Sequence, residues 1–258
     1  MYRDTKCLLQ AHRGVATDAP ENTMAAFRAS VEQGYDLIEF DPKCTKDGVW
    51  VVLHDTTLNR TGRIAGKPFG EEKVDIRDLT FSELAEIDVG EWFDPKFTGE
   101  HIPTVAQALD FMKANGMEGK IDNVFQSYTP RQQAELFDII ERHADLTKMG
   151  LTCTKLDLMK KFADRFPEAP LHYDGDVTDE VLDKLAEVGK GHCVTVWMHM
   201  GTETVKWCKR EPINHEWAKK IKDHGFRLGI WILIDDEEMA KALTFGADVV
   251  ETTGGIKP

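Results

Sequence analysis

Cysteine is scarce in this 258-residue chain: there are five, at 7, 44, 153, 193 and 208, an odd number with no two at CxxC spacing. That argues against a disulfide framework and a structural zinc site, and fits reduced thiols in a reducing compartment. Long apolar runs are missing too. No stretch approaches the roughly 20 residues that a membrane-spanning helix needs. The opening MYRDTKCLLQAHRG holds only a three-residue apolar stretch, too short for a signal-peptide core. The expectation is a cytoplasmic protein with no stable membrane association. Positive charge is in deficit, since 32 basic against 45 acidic side chains leave a net charge of −13. Such a surface repels polyanions, so nucleic acid is not an expected partner. Low-complexity tracts and internal repeats are absent, and no feature sets an oligomeric state.

What is present is a 41% hydrophobic, 30% charged chain, the composition of a soluble globular protein. Its length suits one α/β barrel domain, and a fold of that size buries about three quarters of the surface its unfolded chain exposes. Short apolar runs alternate with amphipathic stretches. Strands are expected at residues 7–11, 37–41 and 50–54, and a helix at 22–33 with Met24, Phe27 and Val31 at 3–4 spacing. Only the turn signal Lys46-Asp47-Gly48 separates the second strand from the third, which suits a hairpin-like excursion better than a helical crossover. Residues 61–103 break the pattern and are expected to form an insertion over one end of the fold. Within it a helix at 80–86 is marked by Thr80 as cap and Glu83 completing a capping box.

Alternation then resumes. Helices are expected at 105–114, 130–143, 156–165, 179–188, 213–224 and 237–245, with strands at 120–125, 147–152, 170–173, 193–197, 227–233 and 248–251. Repeated strand–helix units indicate a parallel sheet, and about eight such strands in one chain favour closure. The predicted fold is an α/β single-domain (β/α)8 TIM barrel covering residues 1–258, with a small insertion after the third strand segment.

Barrel enzymes carry their chemistry at the carboxyl ends of the strands. The first expected strand ends in Ala11-His12-Arg13-Gly14, the second in Glu39-Phe40-Asp41, the third in Leu53-His54-Asp55. Glu39 and Asp41 are two apart and so aim to one side of a strand, where paired carboxylates repel unless a cation separates them. Hard oxygen ligands suit Mg2+, Ca2+ or Mn2+. Histidine as a residue type titrates near neutral pH, so His12 and His54 suit acid–base work in either order. Arg13 offers a planar fork for phosphate oxygens, or an ion pair with Glu21. A lone strand-end histidine is usually structural, and Asn22 or Thr23 would serve equally as a helix cap. Five such groups at three successive strand ends are harder to dismiss. A phosphodiester substrate would need a positive centre within this acidic chain, which a bound cation supplies.

The fragments HRG at 12–14, PENT at 20–23, IEFD at 38–41, TKDG at 45–48 and HDTTLNRT at 54–61 together resemble the glycerophosphodiester phosphodiesterase family. GEWFDPKFTGEHIPT at 90–104, HGFRLGIWIL at 224–233 and GADVVETT at 246–253 extend the likeness along the chain. The resemblance implies a divalent-cation-dependent barrel that hydrolyses glycerophosphodiesters, small-molecule substrates, to glycerol 3-phosphate and an alcohol. By motif position it makes His12 and His54 the acid–base pair, Glu39 and Asp41 metal ligands, and Arg13, Glu21 and Asn22 substrate-binding groups.

Departures follow residue 115. The family's third acidic ligand, a glutamate, is matched by Asp122, one methylene shorter, and the lysine expected two residues later is Val124, with Lys155 as a conceivable substitute. Relatives often read WTVN where this chain has Trp231-Ile232-Leu233-Ile234, and TD where it has Thr252-Thr253. Trp231 is expected to wall the substrate pocket or to pack as ordinary core. Two alternatives stand beside the main reading: a lysophospholipid or sphingomyelinase D-like phosphodiesterase, and a non-catalytic barrel binding a phosphorylated ligand.

Overall fold

Helix caps and strand periodicity organise the chain locally, and closure of the sheet follows. The computed structural model describes residues 6–258. β1 (Leu8–His12) leads to α1 (Met24–Gln33), which Thr23 caps by accepting from the Ala26 N–H, and then to β2 (Leu37–Phe40). Here the chain leaves the sheet. β3 (Pro42–Cys44) and β4 (Trp50–Val52) pair antiparallel, with Pro42 opposite Val52 and Cys44 opposite Trp50. The small hairpin of β5 (Arg63–Ile64) and β6 (Lys67–Pro68) follows, then the short α2 (Phe81–Leu84), whose capping box joins Thr80 and Glu83. This excursion has its own apolar centre, built on Val51, Leu53, Leu58, Ile76, Leu84, Ile87, Val89 and Ile102.

The hairpin-like excursion expected around Lys46-Asp47-Gly48 is what forms, and the third strand segment at 50–54 is corrected only in its place, since β4 lies outside the barrel. Five residues between β3 and β4 are too few for the crossover that parallel pairing requires, so the two segments fold back on each other.

α3 (Val105–Ala114) returns the chain to β7 (Glu118–Ile121), the true third barrel strand, which pairs with β2 through Glu39 opposite Lys120. It ends earlier than the expected 120–125, because the Asp122 carboxylate accepts from the Val124 N–H at 3.0 Å and caps a 3-10 turn at Asn123–Ser127. Regular units complete the barrel: α4 (Pro130–His143), β8 (Met149–Cys153), α5 (Leu156–Arg165), β9 (Leu171–Tyr173), α6 (Asp179–Val188), β10 (Val194–His199), α7 (His215–Asp223), β11 (Arg227–Leu233), α8 (Asp236–Thr244) and β12 (Val249–Thr252). The closed order is β1-β12-β11-β10-β9-β8-β7-β2.

The main apolar core lies between sheet and helices, while the lumen is largely polar, with Gln10, Glu39, Lys120, His172 and Glu251 all buried. Trp197 fills the lumen opposite Gly229, where an added Cβ would sit 2.5 Å from its ring. A polar lumen open at the strands' carboxyl ends sets up the site. No helix among the described residues is long and apolar enough to cross a membrane.

Candidate active site

A cavity of about 650 Å³ opens at the carboxyl ends of the strands, lined on one side by His12, Arg13, Glu39, Asp41, His54, Lys120, Asp122 and Glu251. Tyr173, Asp174, Asp176, Trp207, Arg210 and Trp231 line the other side. Of the residues singled out in the sequence, Glu21 and Asn22 do not line it; they stand behind its wall.

The backbone after β1 explains the first group. Arg13 and Gly14 both adopt left-handed conformations, φ 60° and 76°. Arg13 is held there by its N–H donating to Glu39 Oε2 at 2.9 Å and its carbonyl accepting from the Asn22 N–H at 2.9 Å. Gly14 is required by contact as well as by φ, since a Cβ would lie 2.7 Å from that of Ala26 on α1. This turn aims His12 and Arg13 inward.

Glu39, Asp41 and Asp122 each offer a carboxylate oxygen within 4.8 Å of the others. Burial, then Asp41 and Glu251, push Glu39 well above the ordinary carboxylate range. Burial and Asp41 raise Asp122 to about 6. Asn22 donates from Nδ2 to Asp41 Oδ2 at 2.8 Å and so orients it. Raised proton affinity at Glu39 and Asp122 is what crowding of buried carboxylates without a compensating positive charge produces. The whole lining repeats the point: Arg13, Lys120 and Arg210 face six carboxylates. An anionic ligand would be repelled without an added cation, so the donor set fits a hard divalent ion.

His12 Nε2 lies 3.9 Å from Glu39 Oε2, and its Nδ1 has no hydrogen-bond partner among the described residues. Burial, and then the neighbouring Arg13, lower its imidazole to about 3. His54 Nδ1 lies 2.7 Å from Asp55 Oδ1. Burial raises Asp55, but the hydrogen bonds from Arg60 and His54 prevail and hold it at about 2. Because β4 is outside the barrel, His54 reaches the cavity from the loop after the hairpin, tethered by the Leu53 N–H donating to the Asp41 carbonyl at 2.9 Å.

Several groups here escaped the sequence reading. Lys120 Nζ donates to Glu251 Oε2 at 2.8 Å and sits 4.0 Å from the Trp197 ring centroid. Burial lowers its proton affinity, but Glu251, Asp174 and Glu39 together raise it further. Gln10 Nε2 also donates to Glu251. Lys120 is thus the lysine that lines this cavity, and Lys155, named as a substitute for the lysine missing at 124, lies instead in a separate groove beside α5. Arg210 donates to Asp174 at 2.7 Å and to the Gly175 carbonyl at 3.0 Å, and Trp231 Nε1 donates to Asp174 at 3.2 Å. Trp207 stacks on Trp231 with centroids 5.8 Å apart and remains 66% exposed. Lys43, buried on the opposite side near the acidic cluster, is depressed by burial against the pull of Asp41, Asp122 and Asp55. The sequence signal for Lys120 and Glu251 was their charge at positions that face a barrel lumen.

Comparison with known proteins adds a family. Residues 12–252 match the model of the Glycerophosphoryl diester phosphodiesterase family. A glycerophosphodiester phosphodiesterase of Bacillus subtilis is 31% identical, over 96% of this chain and 83% of that protein. One from Caldanaerobacter subterraneus is 42% identical over 42% of this chain. Two of the curated relatives are matched over only 41% and 37% of their own length. The fold is similar to that of an Oleispira antarctica phosphodiesterase solved in complex with the product sn-glycerol-3-phosphate, with TM-score 0.79, 20% identity, and 96% and 93% of the two chains covered. A glycerophosphodiester phosphodiesterase from Thermotoga maritima gives a TM-score of 0.64 at 22% identity, over 96% and 95%.

Proposed function

Because the chain belongs to the Glycerophosphoryl diester phosphodiesterase family, we propose that it hydrolyses glycerophosphodiesters to glycerol 3-phosphate and an alcohol in the cavity described above. The observation that carries the reading is convergence. His12, Arg13, Glu39, Asp41, His54 and Asp122, drawn from four separate stretches of sequence, line one cavity.

In this reading Arg13 binds a non-bridging phosphate oxygen with the guanidinium edge not taken by Glu21. One histidine accepts a proton from the attacking water, or from the glycerol 2-hydroxyl with water then opening the cyclic phosphate, and the other donates one to the leaving oxygen, each worth about 100- to 10,000-fold. Glu39, Asp41 and Asp122 would hold a divalent cation (Mg2+, Ca2+ or Mn2+), whose charge would stabilise the phosphoryl oxygens. Asn22 keeps Asp41 aimed at the cavity, and Trp231 walls the alcohol side. The five unpaired cysteines support a reducing, cytoplasmic setting.

A second reading keeps the chemistry and takes a lysophospholipid. Exposed Trp207 at the cavity mouth favours it, since an acyl chain would cover that ring. The test is a panel of glycerophosphocholine, glycerophosphoethanolamine, glycerophosphoinositol and lysophosphatidylcholine, followed by enzymatic detection of glycerol 3-phosphate and of released choline. Release of glycerol 3-phosphate from the water-soluble diesters supports the main reading. Turnover of lysophosphatidylcholine alone overturns it in favour of the second.

A further inference from the structure

An unbroken chain of charged contacts joins the two halves of the proposed machinery, and it passes through Asp55, Arg60 and Glu21, none of which lines the cavity. His54 Nδ1 lies 2.7 Å from Asp55 Oδ1. Arg60 grips Asp55 with two nitrogens, at 2.8 and 3.1 Å, and Glu21 with two more contacts, at 2.9 and 2.7 Å. Glu21 in turn accepts from Arg13 at 3.1 Å, and Arg13 Nε lies 3.6 Å from Asp41 Oδ2. The far side of the Arg60 guanidinium rests 5.6 Å from the Trp92 ring centroid.

We propose that Asp55, Arg60 and Glu21 form a positioning strut that fixes the His54 ring, with Nδ1 carrying its proton and Nε2 presented to the cavity, at a set distance from the Glu39–Asp41–Asp122 cluster. A carboxylate only accepts, so the Nδ1 beside Asp55 must donate, and Nε2 is the nitrogen left for proton traffic. His54 needs such support because it stands on a loop outside the barrel, whereas the carboxylates and His12 stand on or just beyond barrel strands. The planar fork of arginine explains the residue type at position 60, since it bridges two carboxylates at once where an ammonium would reach one. Glu21 spends both oxygens on arginines, so it anchors the strut and does not bind substrate. Misplacement of a reacting group by about 1 Å is worth about 100-fold in rate.

The inference rests on the proposed phosphodiesterase reading, and two measurements separate the two. The first is kinetic. Asp55→Ala and Arg60→Met should each lower kcat by about 30- to 100-fold with KM nearly unchanged, and Arg60→Lys should retain more of kcat than Arg60→Met. In a His54→Ala background neither Asp55→Ala nor Arg60→Met should lower the residual rate further. Additive losses, or a raised KM at constant kcat, would overturn the strut. The second needs no turnover: long-range proton–nitrogen spectra of the wild-type His54 ring should show the Nδ1–H form, changing in Asp55→Ala. An Nε2–H ring in the wild type would overturn the proposal even if every variant misfolded. A wild type with the Nδ1–H ring that hydrolyses no diester would refute the functional reading and leave the strut standing.

Discussion

Neutralising one of the clustered carboxylates should stabilise the metal-free protein, the reverse of what a buried polar substitution normally does. Asp122→Asn is the cleanest case, because an amide oxygen can still accept from the Val124 N–H and preserve the cap on the following turn. Burial and Asp41 move Asp122 from an ordinary 3.8 to about 6 in the native state. The folded value lies above the unfolded one, so the native state holds this proton more tightly. Its contribution is therefore fully present below about pH 4 and is lost as pH rises through about 6. At neutral pH the loss is on the order of 3 kcal/mol at most. Allowing for relaxation, Asp122→Asn should recover about 1–3 kcal/mol, or roughly 2–10 °C in Tm for a domain of this size. Thermal denaturation in EDTA at about pH 7.5 and about pH 4.5 measures it, with the full gain expected at the higher pH and only about a third of it at the lower. Saturating divalent cation should reverse the order by stabilising the wild type more. A variant less stable than wild type in EDTA near neutral pH, or equally shifted at both pH values, would refute the electrostatic argument.

Three further outcomes follow from the same geometry. His12→Ala and His54→Ala should each leave the circular dichroism spectrum intact and cut kcat by at least about 100-fold; a near-normal kcat removes that histidine from the chemistry. Gly14→Ala meets both a left-handed φ of 76° and a Cβ contact of 2.7 Å. It should cost about 2 kcal/mol or more in urea titrations, whereas Gly48→Ala, with nothing within 4 Å of the new Cβ, should cost less. Lys120→Met leaves Glu251 buried without its ion-pair partner and should destabilise by about 3–5 kcal/mol, with Lys120→Met/Glu251→Leu recovering much of the loss.

Much of the fold was legible because its signals are local. Helices at 105–114, 130–143, 156–165 and 179–188 form with the expected bounds, since amphipathic spacing and, for three of them, a threonine cap lie within a few residues of each helix. Residues 50–54 were counted with the barrel's rim strands because an apolar run of that length reads the same in a barrel strand and in a hairpin, although the short connection at Lys46-Asp47-Gly48 correctly marked a hairpin-like excursion. His12, Glu39, Asp41 and His54 were legible through motif spacing. Lys120 and Glu251 were not, because their pairing spans 131 positions and arises from barrel closure. Asp174 and Arg210, 36 apart on different loops, are equally nonlocal. Glu21 and Arg60 lay inside recognised fragments, but their partnership is a contact between two loops that neither fragment encodes alone.

The most direct test of the central claim follows glycerol 3-phosphate release from glycerophosphocholine across a titration of Mg2+, Ca2+ or Mn2+, for wild type and Glu39→Gln together. The account predicts no release by the EDTA-treated wild type, saturable recovery with at least one ion, and no recovery by a folded Glu39→Gln at any concentration. Full turnover in EDTA, or wild-type turnover by Glu39→Gln, would contradict it.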